Sequence, residues 1–245
     1  MSRWIGLPIG LLVVVLFFST VILAQETLPK PSHAKMTISE NTWDFGYIPQ
    51  QAFVSHIYKI TNEGKDSLLI DRVRPACGCT AAPLKKDKLA PGESTDLLVT
   101  FNSGRYTGLA RKGIYITSND SLYPSGRSIE FSATVADKNP IATLTPEAIE
   151  FDSMQATKGE RKYVKLDNFS GGKLKISLID NPNSYLKIKI KDKELQSQGS
   201  TQIEVRLREK IEAGWLKTSF TLELEGSQKT RVTIPVKALI KVEGK

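Results

Sequence analysis

The chain has 245 residues, of which 40% are hydrophobic and 24% charged, a composition typical of an ordinary globular protein with one large domain or two of about 100 residues. Its net charge of +8 is shared unevenly: residues 1–24 carry +1, residues 25–138 carry +2 and residues 139–245 carry +5. The sequence has two histidines and lacks serine-hydrolase, zinc-protease and phosphate-loop motifs, so we predict that it is not an enzyme unless its thiols react.

The N-terminal 24 residues are predicted to direct export. Arg3 precedes an uncharged, apolar run at residues 5–24, and the small residue Ala24 precedes polar sequence, as at the cleavage site of a signal peptide. The same run is just long enough to span a bilayer, so an uncleaved membrane anchor is the alternative. We therefore expect a periplasmic or extracellular protein, in a compartment where disulfides persist. Residues 25–35, which are polar and broken by prolines, are predicted to be a linker.

From residue 36 onward, short predicted strands are separated by turn residues. Apolar and polar side chains alternate along residues 53–61, which is the period-two pattern of a half-buried strand. Further strands are predicted at residues 68–73, 96–101, 113–117 and 128–135. Six or seven short strands in about 100 residues predict an immunoglobulin-like β-sandwich for residues 36–138. On the strand at 53–61, His56 shares a face with apolar residues, so we predict a core histidine bound by a backbone or hydroxyl group.

The sequence after Asn139-Pro140 repeats the pattern at an offset of about 106 residues. Three landmarks keep their order: Trp43-Asp44-Phe45 with Ile149-Glu150-Phe151, Thr61-Asn62 with Asp167-Asn168, and Pro91-Gly92-Glu93-Ser94 with Gln198-Gly199-Ser200-Thr201. We therefore predict a second sandwich at residues 139–245, and an all-β protein of two tandem immunoglobulin-like domains. The positions that match the two cysteines, Cys77 and Cys79, hold Asp180-Asn181-Pro182-Asn183, so any thiol chemistry belongs to the first domain.

Several linked motifs of the first domain resemble the domain-of-unknown-function family 1573. They are Trp43-Asp44-Phe45-Gly46-Tyr47-Ile48, His56-Ile57-Tyr58-Lys59-Ile60-Thr61-Asn62-Glu63-Gly64, Val73-Arg74-Pro75-Ala76-Cys77-Gly78-Cys79-Thr80, Ala90-Pro91-Gly92-Glu93-Ser94 and Val99-Thr100-Phe101-Asn102. The family consists of exported bacterial immunoglobulin-like domains, similar to the sperm-protein, cilia-associated and pilus-chaperone-like modules. The resemblance covers residues 38–136 and implies this fold and an exported location, but no activity.

The only two cysteines, Cys77 and Cys79, flank a glycine. In an extended strand their Cα atoms would be about 6.6 Å apart, so a disulfide between them requires a turn, which Gly78 permits. Three interpretations stay open: a structural or incidental pair; thiol–disulfide exchange, with Arg72 and Arg74 favouring the thiolate; and capture of a soft metal such as copper(I) or zinc. We predict no catalytic residue, resident metal or cofactor.

A run of lysines marks the second domain. Lys187, Lys189, Lys191 and Lys193 alternate with other residues, chiefly isoleucine, so they lie on one face of a predicted strand. They are a possible anion-binding face for lipid, lipopolysaccharide or acidic glycan. Alternatively, they protect an exposed edge strand against aggregation.

These observations predict an exported, non-enzymatic structural or binding protein of the cell envelope, which contacts another envelope protein through sheet edges or loops. The alternatives are thiol–disulfide exchange or soft-metal binding at Cys77 and Cys79, and a periplasmic chaperone-like subunit that lends a strand to a client. A membrane anchor through residues 5–24 and contact with an anionic envelope surface are both left open. Nucleic acid is not expected for an exported chain whose basic residues are not interleaved with aromatic ones.

Overall fold

Alternating burial along the chain produces a fold of β-strands. In residues 94–102, for example, Thr95, Leu97, Val99 and Phe101 are buried while the residues between them are partly exposed. The computed structural model describes Met1 and residues 32–151, 159–181, 185–208 and 214–240, and this part of the chain contains no helix. The predicted all-β class is confirmed, with the strands in a sandwich-like arrangement.

The described residues form eighteen strands. In the first half they are β1 (Met36–Ile38), β2 (Thr42–Ile48), β3 (Phe53–Asn62), β4 (Leu68–Pro75), β5 (Thr80–Ala81), β6 (Lys88–Leu89), β7 (Ser94–Asn102), β8 (Gly108–Ser118) and β9 (Arg127–Val135). In the second half they are β10 (Ala142–Thr145), β11 (Ile149–Glu150), β12 (Arg161–Asn168), β13 (Leu174–Asp180), β14 (Leu186–Ile190), β15 (Glu194–Leu195), β16 (Ser200–Leu207), β17 (Gly214–Glu225) and β18 (Lys229–Ile240). Each of the five strand segments predicted in the first half lies within a longer observed strand.

The strands form two small sheets and one large one. The small sheets have the orders β1-β3-β7-β5 and β10-β12-β16-β14, which repeat the same connectivity in the two halves. The large sheet has ten strands and runs β15-β13-β17-β18-β2-β9-β8-β4-β6, with β11 paired to β18. Each small sheet packs on its own half of the large sheet: the buried residues of one hydrophobic cluster come from the first half, and those of another come from the second half.

Two buried asparagines show the same bonding in both halves. Asn62 and Asn168 are both fully buried, and each side chain accepts a hydrogen bond from the backbone N–H two residues further on. Each also donates to two backbone carbonyls, one of them four residues on and the other at the end of a short strand, at Leu89 of β6 and at Gln196 just after β15. A buried amide that meets this many partners fixes a turn firmly.

Residues 32–35, the end of the predicted linker, lie against the turn that follows β3. The backbone N–H of Lys65 donates to the carbonyl of His33, and that of Glu63 donates to the carbonyl of Lys35. Ala34 is buried in the first cluster. The predicted signal or anchor at residues 1–24 and the rest of the linker fall outside the described residues, apart from Met1. No helix long and apolar enough to cross a membrane occurs in the described part of the chain.

The two halves meet where β2 pairs with β18 in the large sheet, through Tyr47 and Val232. Gly46 has a φ of +67°, and a Cβ atom built there would lie 2.0 Å from the backbone oxygen of Arg231. Beside it, the hydroxyl of Thr233 donates to the carbonyl of Phe45 at 2.6 Å. Glycine is therefore required at position 46, both for the left-handed backbone and for the close approach of the two strands.

We expect Gly46→Ala to lower the free energy of unfolding by more than about 4 kcal/mol, because the methyl group forces β2 and β18 apart as well as straining the backbone. Gly108→Ala is the matched control: its φ is +69°, but no heavy atom of the described residues other than those of the adjoining residues lies within 4 Å of the added methyl group. It should cost only about 1–2 kcal/mol. Urea unfolding measures both, and equal losses would contradict the role given to the strand contact.

Candidate functional site

The cysteine loop lies between β4 and β5, and its two sulfurs are joined. Cys77 and Cys79 form a disulfide with an S–S distance of 2.06 Å and a Cα–Cα distance of 5.3 Å. A turn at Gly78 and Cys79 brings the two Cα atoms closer than an extended strand would. Of the three interpretations of the pair, the closed clip is the arrangement that the structure contains.

The loop connects the two layers of the first half. On one side of the disulfide, the N–H of Ala76 donates to the carbonyl of Gly113 in β8, which belongs to the large sheet. On the other side, the N–H of Asn102 in β7 donates to the carbonyl of Cys79, which ties the loop to the small sheet. The disulfide therefore closes a tight loop within a chain segment that hydrogen bonds already fix at both ends.

Hydroxyl groups surround the sulfurs. The Oγ1 atom of Thr80 lies 3.5 Å from the sulfur of Cys77 and 3.9 Å from that of Cys79, and the hydroxyl of Tyr106 donates to Cys79 at 3.7 Å. The ammonium group of Lys112 lies over the ring of Tyr106, 4.5 Å from its centroid. Within the described residues, no charged group makes a hydrogen bond to either sulfur.

Arg72 and Arg74, which we expected to favour the thiolate, line a surface pocket next to the loop. This disulfide-side pocket has a volume of about 530 Å³ and is lined by Arg72, Arg74, Pro75, Ala76, Tyr115 and Thr117. Tyr115 is 58% exposed and lies opposite Arg74 in the β4–β8 pairing. Neither guanidinium forms an ion pair with any described residue.

The predicted lysine run divides in the structure. Lys187 and Lys189 are exposed on β14, which is an edge strand because, within the described ranges, β16 is the strand with which it pairs. Lys191 follows on the same edge, where its N–H donates to the carbonyl of Gln202. Lys193, however, has crossed to the other layer, because its carbonyl accepts from the N–H of Ile176 in β13. The edge position and the alternation are as predicted for the first three lysines, and Lys193 does not belong with them.

His56 is a core residue, as predicted, but its partners are carboxylates rather than backbone or hydroxyl groups. Its Nδ1 atom lies 2.7 Å from Oδ2 of Asp180, and its Nε2 atom lies 2.9 Å from Oε1 of Glu40. The ring also stacks on Trp43, with centroids 3.8 Å apart and planes 5° from parallel. Because Asp180 belongs to β13, this side chain connects the two halves.

The carboxylates near His56 also affect Tyr58. Burial, and then the charges of Glu40 and Asp180, raise the pKa of Tyr58 well above its usual range. Its hydroxyl donates to the carbonyl of Glu130 at 3.0 Å. Sequence reasoning missed Glu40 and Asp180 as partners of His56. Both ring nitrogens are occupied by them, and among the described residues no group of three or more histidine, cysteine, aspartate or glutamate side chains is placed to hold a metal ion.

Comparison with known proteins addresses the first half most directly. The model of a family described as "Protein of unknown function (DUF1573)" matches residues 36–135. The resemblance predicted from the sequence is confirmed. The DUF1573-like region, residues 36–135, contains the disulfide, the disulfide-side pocket and His56. No curated protein matches the chain.

Solved structures with related arrangements have low sequence identity. A protein of unknown function from Porphyromonas gingivalis W83 is 13% identical, with a TM-score of 0.33, over 84% of this chain and 99% of that chain. The PapD-like domain 7 of human CEP192 is 12% identical, with a TM-score of 0.34, over 49% of this chain and 98% of that one. WR4, a C. elegans MSP family member, is 9% identical, with a TM-score of 0.29, over 42% and 100%. At these scores none of them bears on the function of the DUF1573-like region.

The contact between His56 and Asp180 should contribute to stability. We expect Asp180→Ala to lower the free energy of unfolding by about 1–3 kcal/mol, because it leaves a buried ring nitrogen without a partner. Asp66→Ala is the matched control, since Asp66 contacts His33 at 3.3 Å but both side chains are more than half exposed. Its cost should stay below about 1 kcal/mol. Thermal and urea unfolding compare them, and similar losses would show that the buried contact is not special.

The disulfide closes a very short loop, so its removal should cost little. We expect the Cys77→Ser/Cys79→Ser variant to fold and to lose about 1.5 kcal/mol of unfolding free energy in the chain-entropy model. Intact mass after alkylation should show no labelled thiol before reduction of the wild-type protein and two afterwards. A variant that fails to fold, or a wild-type protein that is labelled without reduction, would contradict this assignment.

Proposed function

We propose that the chain is a non-enzymatic binding protein of the cell envelope, exported through residues 1–24 and built from two tandem immunoglobulin-like sandwiches. The repeated sheet order and the equivalent bonds of Asn62 and Asn168 support the tandem. The apolar N-terminal run and the disulfide in the DUF1573-like region support export to an oxidising compartment.

The observation that carries the binding role is the disulfide-side pocket. It combines two guanidinium groups that have no ion pair in the described chain with an exposed tyrosine. Arginine and tyrosine are among the side chains that are enriched at the energetic centres of protein interfaces. The clip at Cys77 and Cys79 holds the loop that borders the pocket, which reduces the entropy lost when a partner binds.

The chemistry of the pocket defines its partner. Arg72 and Arg74 offer planar donors that match carboxylates, and Tyr115 offers an aromatic surface beside them. We therefore propose that the pocket binds an acidic segment of another envelope protein. This partner need not enter the pocket deeply, since the pocket residues on β4 and β8 lie on the outer face of the large sheet.

A second candidate, thiol–disulfide exchange, is favoured by the position of the cysteines, which are only half-buried and so accessible in part. Against it, the contacts to the sulfurs come from hydroxyl groups, which stabilise a thiolate less than a cation does. Refolding of scrambled ribonuclease with wild type and with Cys77→Ser distinguishes the two, and equal rates would exclude exchange.

The chaperone-like alternative has less support. Lending a strand requires an unpaired edge near the junction of the two halves. In the large sheet, β2 and β18 pair with each other at that junction, and the strands at the ends of the sheet, β6 and β15, lie far from it in the strand order.

The binding role is tested by photo-crosslinking in cells. A photoreactive residue in place of Thr117, in the pocket wall, should give one crosslinked species of defined mass. Arg72→Glu with Arg74→Glu should weaken its formation at least 10-fold, since arginine is enriched among the interface residues whose truncation costs about 2 kcal/mol or more. The intact mass of the protein recovered from the envelope shows whether residues 1–24 have been removed.

Lys65→Glu with Lys88→Glu is the matched control, because it makes the same charge change at two exposed lysines of the DUF1573-like region. Crosslinking should survive in this control. A crosslink that is unaffected by reversal of the two arginines, or equally weakened by the two lysine changes, would refute a specific acidic partner at the pocket.

A further inference from the structure

The outer face of the second small sheet carries a set of cations that strand pairing brings together. The exposed ring of Tyr163 lies on β12, and the outer faces of β12, β16, β14 and its continuation carry Arg161, Lys165, Lys187, Lys189, Lys191 and Arg206, which we name the cationic face. Glu204 on the middle strand β16 lies opposite both Tyr163 and Lys189. Tyr163 is 44% exposed. The face shares no residue with the disulfide-side pocket and belongs to the other half of the chain.

Three of these cations form a row across neighbouring strands. Lys187 on β14 lies opposite Arg206 on β16, and Arg206 lies opposite Arg161 on β12. Neighbouring strands are about 4.8 Å apart, and like charges placed directly opposite each other destabilise a sheet. The chain therefore maintains a row of charges that its own folding does not favour.

The acidic side chains of this face leave most of the cations without an ion pair. Asp167 contacts Lys165 at 2.7 Å, and Glu204 lies 3.7 Å from Arg161. Lys187, Lys189, Lys191 and Arg206 form no ion pair with any residue in the described ranges. Their positive charge is consequently available to an outside partner.

The charges extend in two directions. Along β14 and its continuation, Lys187, Lys189 and Lys191 follow one another at intervals of about 6.6 Å, while the row through Arg206 to Arg161 runs across the strands. A single linear polyanion would cover one of these rows, whereas a two-dimensional layer of negative groups covers both. The exposed Tyr163 on β12, beside these cations, is also suited to the boundary between water and lipid headgroups.

We propose that the cationic face binds the surface of a bilayer that contains anionic phospholipids. Lysine and arginine next to such a surface are attracted by its negative potential, and each strengthens binding about fivefold. The attraction is electrostatic and decays within a Debye length, so it should weaken as salt is added. In this proposal, Lys187, Lys189 and Lys191 bind the bilayer surface in addition to protecting an edge strand against aggregation.

The test measures binding of the full chain to vesicles by co-sedimentation. One set contains phosphatidylglycerol and phosphatidylethanolamine in equal parts, and the other contains phosphatidylcholine alone. The readout is the ratio of the two partition coefficients, because the apolar residues 5–24 would favour both kinds of vesicle alike. For the triple variant Lys187→Gln, Lys189→Gln, Arg206→Gln, this ratio should fall about 100-fold.

The matched control is Lys173→Gln, Lys175→Gln, Lys193→Gln, which removes the same charge from exposed lysines around β13 and should change the ratio little. Equal losses in the two triple variants, or no preference of the wild type for anionic vesicles, would overturn the proposal. Binding of soluble polygalacturonate without binding of anionic vesicles would also overturn it, in favour of an acidic glycan. The cationic-face variant should be about as stable in urea as the wild type, because the relief of repulsion between Lys187 and Arg206 offsets the loss of the charge of Lys189 opposite Glu204.

Discussion

The main-chain contact between Gly46 and Arg231 is the constraint on which the arrangement of the two halves depends. It allows β2 to lie between β9 and β18, so that strands from both halves belong to one sheet. Without that approach, the parallel pairing of β2 with β18 could not form, and each half would leave an edge of its sheet exposed. Because glycine at position 46 has no side chain, two separate sheet edges join into one continuous sheet.

Other contacts across the junction reinforce this sheet from its face. The N–H of Ser55 donates to the hydroxyl of Ser219, and that hydroxyl also donates to the carbonyl of Ser55. Both serines are buried, so these bonds lie where water does not compete for them. Together with the contact between His56 and Asp180, they connect β3 to strands of the second half. The halves are therefore held both edge to edge and face to face.

Local pattern was sufficient to predict the strands, because alternation of apolar and polar residues is a property of each segment alone. The offset of about 106 residues matched Asn62 with Asn168, and the structure shows that the two make equivalent hydrogen bonds. Contacts between distant segments could not be predicted in this way. Asp180 meets His56 from 124 positions away, and Arg206 and Arg161 join Lys187 only through the register of three strands. Register depends on the whole sheet. Alternation along the sequence therefore grouped Lys193 with Lys187, Lys189 and Lys191, although Lys193 lies in the other layer.

The shared sheet has a consequence for the two proposed surfaces. The disulfide-side pocket lies in the large sheet of the DUF1573-like region, and the cationic face lies on the small sheet of the second half. A flexible linker between two domains would let such surfaces turn independently. Here the pairing of β2 with β18 and the buried bonds at Ser55 and His56 oppose that rotation. A chain bound to a bilayer through the cationic face would consequently present the pocket at a fixed height and angle. Its acidic partner would then be selected by position as well as by charge.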